Sequence, residues 1–172
     1  MAKTYTLISS NVLTANAASV TFSSIPATYT DLVVRGSTRV SASTPVSLQF
    51  RYNASSGGTD YSYVNLRGNG SAVSSDTVSG NDSGAGAYAN TVSTMTANAF
   101  SSWEFYIPSY LTSSKKPSSF ISAQETNATA ANINTATNLW EGTAAITSIA
   151  FALSANDFVS GSSFYLYGIK SS

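Results

Sequence analysis

The chain has 172 residues and a formal net charge of zero, with 42% hydrophobic and 12% aromatic residues but only 9% charged ones. That balance supports a buried core and excludes the clustered basic surface that nucleic acid or an anionic membrane requires. The chain contains neither His nor Cys, which excludes Ser–His and Cys–His nucleophilic pairs, the usual zinc sites and disulfides.

Period-two alternation of apolar and polar residues organises the chain, as expected of strands with one buried face. At 19–22, Val20 and Phe22 fall on one side and Ser19 and Thr21 on the other. Residues 31–40 read as a longer strand. In 46–52, Val46, Leu48, Phe50 and Tyr52 alternate with Ser47, Gln49 and Arg51. A Ser- and Gly-rich turn at 55–60 leads into a strand at 61–66. Residues 68–89 then break the rhythm. They are small, polar and Gly-rich and predict a long functional or mobile loop, with room for one short strand near 72–78. Strands resume at 102–107 and 118–124. The uncharged stretch 126–138 reads as a strand pair or as a surface loop. Two further strands, 145–153 and 163–169, close the chain.

About eight to ten short strands, separated by Gly, Pro, Asn and Asp turns and with no convincing helix, predict one all-β domain. The expected architecture is an antiparallel β-sandwich, jelly-roll-like. No run approaches the length of a membrane-spanning helix, so membrane insertion is not expected. The first ten residues also lack a signal-peptide core. The protein is therefore expected to be made in a cytoplasm.

Without His or Cys, catalysis would fall to the eight carboxylates. Glu104 and Glu125, each on or beside a strand, are the only pair considered for glycoside hydrolysis, which needs two facing carboxylates. The bland alternative, two surface residues on a polar face, is preferred, and no catalytic residue is assigned. Oxygen ligands between Asp76 and Asp82 make a weak calcium loop, and an Asn/Asp turn is the preferred reading. No metal site or cofactor is assigned. Arg35, Arg39, Arg51 and Arg67 fall in the first half of the chain. Arg35 and Arg39 share strand parity, and ion pairs with a neighbouring subunit suit these cations better than nucleic acid does. The candidate contact residues are Arg67 at the base of the 68–89 stretch, Tyr88 near its end, and Trp140, which is either exposed near a loop or an edge of the core.

Four segments, 5–10, 19–34, 66–71 and 161–170, resemble small β-rich virion structural proteins of tailed phages, especially those of marine and cyanobacterial hosts. The resemblance implies a non-enzymatic component of a virus particle with other virion proteins as partners. The first expectation is a capsid-surface decoration or cement protein, homo-oligomeric and by analogy trimeric. The alternative is a tail-fibre or receptor-binding component that recognises a host-surface glycan.

Overall fold

The β-branched and aromatic residues that alternate with Ser, Thr and Asn build twelve strands and no helix within the described residues. The computed structural model describes residues 4–85, 91–127 and 131–170. In chain order the strands are β1 (Tyr5–Val12), β2 (Ser19–Phe22), β3 (Asp31–Thr38), β4 (Leu48–Tyr52), β5 (Tyr61–Gly68) and β6 (Val73–Asn81). The second half contributes β7 (Gly84–Ala85), β8 (Ser101–Ile107), β9 (Lys116–Gln124), β10 (Asn132–Trp140), β11 (Ile149–Leu153) and β12 (Ser163–Ile169).

These strands pair antiparallel in two sheets. The larger has eight strands in the order β1-β12-β3-β8-β9-β10-β5-β6, and the smaller has four in the order β2-β11-β4-β7. Side chains from both sheets meet in one core, so the chain adopts an antiparallel sandwich. Its uneven partition, eight strands against four, differs from the eight strands in all of a jelly roll.

Alternation decides what each strand buries. On β4, Leu48, Phe50 and Tyr52 point inward and Gln49 and Arg51 outward. Trp103, Phe105 and Ile107 do the same from β8, and Phe164 and Leu166 from β12. The rings interlock across the gap between the sheets. Phe50 and Phe105 have centroids 4.4 Å apart and Trp103 lies 5.4 Å from Phe151, while within the larger sheet Trp103 lies 5.7 Å from Phe164. Each such buried ring contributes about 1.5–3 kcal/mol. This aromatic half anchors the fold.

Tyr52 and Tyr61 are fully buried at its margin, and the Tyr52 amide donates to the Tyr61 hydroxyl oxygen at 2.8 Å. Burial pushes the Tyr61 phenol up to about 12 and raises Tyr52 well above its ordinary value. The folded chain therefore keeps protons that the unfolded chain releases from about pH 10. Stability is fully present below that pH and falls as the pH rises through about 12. Thermal melts stepped through this alkaline interval should show a falling midpoint, with a shallower slope in Tyr61→Phe. A midpoint that does not move would contradict the burial argument.

Three expectations change. β3 ends at Thr38, and Arg39 just beyond it is 9% exposed, its guanidinium on the carbonyls of residues 93–99. Arg35 stays exposed, so the two arginines differ in exposure. Within the expected long loop at 68–89, the short strand expected near 72–78 is the nine-residue β6, and the short β7 follows it. A tight turn joins β6 to β5, with Asn69 Oδ1 accepting from the Ser71 and Ala72 amides. Most of the uncharged stretch 126–138 lies in β10, an interior strand of the larger sheet.

Candidate functional site

Along β9, β10 and β5 the alternation persists but its chemistry reverses. β9 turns Ser118, Ser122 and Gln124 inward beside Phe120, and turns Ile121 outward. β10 buries Asn134 and Asn138 and exposes Ile133. β5 buries Asn65 and exposes Val64 and Leu66. The four outward aliphatics are 48 to 54% exposed, and Val73 on neighbouring β6 is 79% exposed. This half of the sheet is polar inside and apolar outside.

Register assembles the outer face. Leu66, Thr135, Ile121, Glu104 and Arg35 form one cross-strand row, and Val73, Gly68, Ile133 and Ala123 form the next. Arg35 closes the first row. Its Nε donates to Glu104 at 2.8 Å, and its guanidinium lies 5.5 Å from the Tyr5 ring centroid and 5.9 Å from that of Tyr167. With both side chains well exposed, this pair adds little to stability. Its consequence is local neutrality. Eight strands about 4.8 Å apart and about 25 Å long give the face a footprint of roughly 800 Å².

The inner side of the same strands lines a cleft of about 390 Å³ at the end of the sandwich. Its polar wall is Arg67, Asn69, Ser74, Gln124, Asn132 and Asn134, and Pro45 and Met95 supply apolar surface. Arg67 is ion-paired to Asp76, which also accepts from Asn65 Nδ2 at 3.1 Å. Gln124 and Asn134 are almost fully buried, and the Gln124 amide reaches the Met95 sulfur at 3.9 Å. The volume falls within the range of small-molecule sites, about 300–1,000 Å³.

The candidate residues from the sequence separate. Arg67 stands in the cleft wall. Tyr88 lies outside the described residues. Trp140 resolves to the core and is no exposed contact: it is 4% exposed, its Nε1 donates to Ser55 Oγ at 3.2 Å, and its ring meets Tyr52 edge-on at 5.5 Å.

Glu104 and Glu125 do not face each other. Glu104 is held by Arg35, and Glu125 accepts from the Thr96 amide at 3.2 Å and from the Thr96 hydroxyl at 3.0 Å. Glu104 pairs with Ile121, which places Glu125 about four residues, or roughly 13 Å, further along the sheet. Asp76 and Asp82 are each taken by an arginine, and no cluster of three metal-ligating side chains occurs among the described residues. Arg35, Arg51 and Arg67 thus find carboxylates within the chain, where pairing across a subunit boundary was expected.

Asn132, Asn134 and Gln124 escaped the sequence reading. Their one signal was Asn at 132, 134 and 138, a period-two series in a stretch without charge. No protein-family model, no curated protein and no solved structure matches the chain.

Proposed function

We propose that this protein is a non-enzymatic structural component of a tailed-phage particle, a capsid-surface decoration or cement subunit. It works by packing the outer face of its larger sheet against a second copy of itself. One observation carries the reading: Val64, Leu66, Val73, Ile121 and Ile133 gather on one broad face instead of scattering singly over the surface.

Charge and area favour a second copy as the occupant. A two-fold interface must complement itself, and a face of one sign would repel its own image. Here Arg35 and Glu104 neutralise each other, and the whole chain carries no net charge. A footprint of roughly 800 Å² matches what each partner contributes to a standard stable interface. The resemblance to phage virion proteins supplies the particle as the setting.

In solution the chain is expected to exceed its 17.9 kDa monomer mass in light scattering after gel filtration. A doubled mass fits the self-complementary face alone. The trimer expected by analogy would bring two different surfaces together. Leu66→Glu combined with Ile121→Glu, both at half-exposed positions, should give a folded monomer. A wild-type monomer at about 100 μM, roughly 5.5 kcal/mol on the affinity scale, would end the self-packing reading. Copy number in purified particles tests the location separately: hundreds of copies support decoration, and a dozen favour a tail component.

A further inference from the structure

We infer that the cleft at the β9-β10-β5-β6 end of the sandwich binds a neutral saccharide. The inference is independent of the packing proposal, because the cleft lies on the opposite side of these strands from the apolar face.

Register places the cleft's polar groups in two cross-strand rows. Ser74, Arg67 and Asn134 lie side by side on β6, β5 and β10, and Asn132 lies beside Gln124 across β10 and β9. Adjacent strands are about 4.8 Å apart, so the longer row spans roughly 10 Å, the length of one to two pyranose rings. Side chains mounted on paired strands are held more rigidly than side chains on loops.

The chemistry of the wall selects among ligands. Asn132, Asn134 and Gln124 carry amide donors and acceptors, Asn69 adds a donor while its Oδ1 is held by the turn, Ser74 carries both, and Arg67 adds a cationic donor. A polyol, which presents donors and acceptors on adjacent carbons, satisfies such a mixture. A phosphate or sulfate would need spare cations, but Arg67 is the one cation of the described lining and is already neutralised by Asp76. A divalent cation would need carboxylates, and none is among the described lining of the cleft. An apolar ligand would cover the amides and return no hydrogen bonds. Met95 and Pro45 can meet the C–H face of a sugar ring.

The test is saturation-transfer difference NMR on the full chain. The probes are glucose, galactose, mannose, N-acetylglucosamine and their common disaccharides, with glucuronate and inorganic phosphate as anionic controls. At least one neutral sugar should bind with Kd on the order of 1 mM. Ala72→Trp places a large ring at the cleft from an exposed turn position, away from the core, and should weaken binding at least tenfold with an unchanged melting temperature. Asn132→Ala should weaken binding through the loss of one amide. The outer-face double substitution Leu66→Glu, Ile121→Glu should leave sugar binding intact. The inference is overturned if no neutral sugar gives a signal, if glucuronate or phosphate binds more tightly than every neutral sugar, or if binding survives Ala72→Trp.

Discussion

Arg39→Leu is expected to lower folding stability by about 4 kcal/mol, a large share of the roughly 5–15 kcal/mol that holds a domain of this size. The guanidinium is buried beyond the end of β3. It donates to the Thr96 and Ala99 carbonyls at 2.7 and 2.9 Å, and to the Ser93 and Met95 carbonyls at 3.1 and 3.2 Å. Four backbone acceptors on one segment thus depend on a single side chain. Hydrogen bonds to a charged group contribute about 1.5–3 kcal/mol each, and a buried acceptor left unpaired costs about 1–3 kcal/mol. The losses do not simply add, because the segment can open and let water reach some of the carbonyls.

Arg39→Lys should fall between wild type and Arg39→Leu. A point-like ammonium has three donors and cannot span four carbonyls as a planar fork does. Urea unfolding of the three proteins gives the energies. Hydrogen exchange should quicken in the segment that Arg39 holds, residues 92–100, before it quickens elsewhere. A loss below about 1 kcal/mol for Arg39→Leu would mean that the segment is held by its other contacts. The consequence reaches the cleft, because Met95, one of its lining residues, belongs to this segment.

Arg39 also shows where strand parity stops being a guide. Parity puts Arg35 and Arg39 on one side only while the strand continues, and β3 ends at Thr38. The strands read easily from the chain were those whose inner faces are aromatic. β4, β8 and β12 alternate Phe, Tyr, Trp or Leu with other residues, because the inner sides of β8 and β12 meet those of β4 and β11 across the gap. β10 obeys the same geometry with the chemistry inverted. The Oδ1 of its inward Asn138 accepts from the Ala85 amide at 2.9 Å, while Ile133 faces out. A buried strand whose polar groups are paired by another segment looks, in sequence, like a polar loop.

β6 was legible only as a short strand within a loop, for a different reason. It is the free edge of the larger sheet and is mostly exposed along its length, so no alternation is imposed on its Ser- and Gly-rich sequence. Trp140 was ambiguous because its neighbours Glu141 and Gly142 are turn-like. That glycine is what makes room for it: a Cβ at Gly142 would lie 2.2 Å from the indole ring. Arg67 was picked out as a cation beside an unusual stretch. The amides opposite it come from strands distant in sequence, and only the pairing register brings them together.

The same fit of ring over glycine occurs at the centre of the core, where Gly36→Ala is expected to cost about 3 kcal/mol. Gly36 pairs directly with Trp103 across β3 and β8, and a Cβ added there would lie 2.1 Å from one indole carbon and 2.2 Å from another. Gly36 is not among the residues with a left-handed backbone, so alanine meets no conformational penalty and the cost is steric. The indole cannot swing away easily. Its Nε1 donates to Thr38 Oγ1 at 3.0 Å, and its ring packs on Phe120 at 5.6 Å and on Phe151 and Phe164. Overpacking a fixed core costs about 1–3 kcal/mol and occasionally more. Phe50 lies over Gly84 in the same way, so the small sheet relies on the same device. A double-mutant cycle isolates the steric cause. Trp103→Leu alone should cost roughly 3 kcal/mol through the cavity it leaves. In the combined variant the alanine methyl enters that space, so the total should fall short of the sum by about 1.5 kcal/mol. Additivity to within about 0.5 kcal/mol would show that the ring is not what excludes a side chain from position 36.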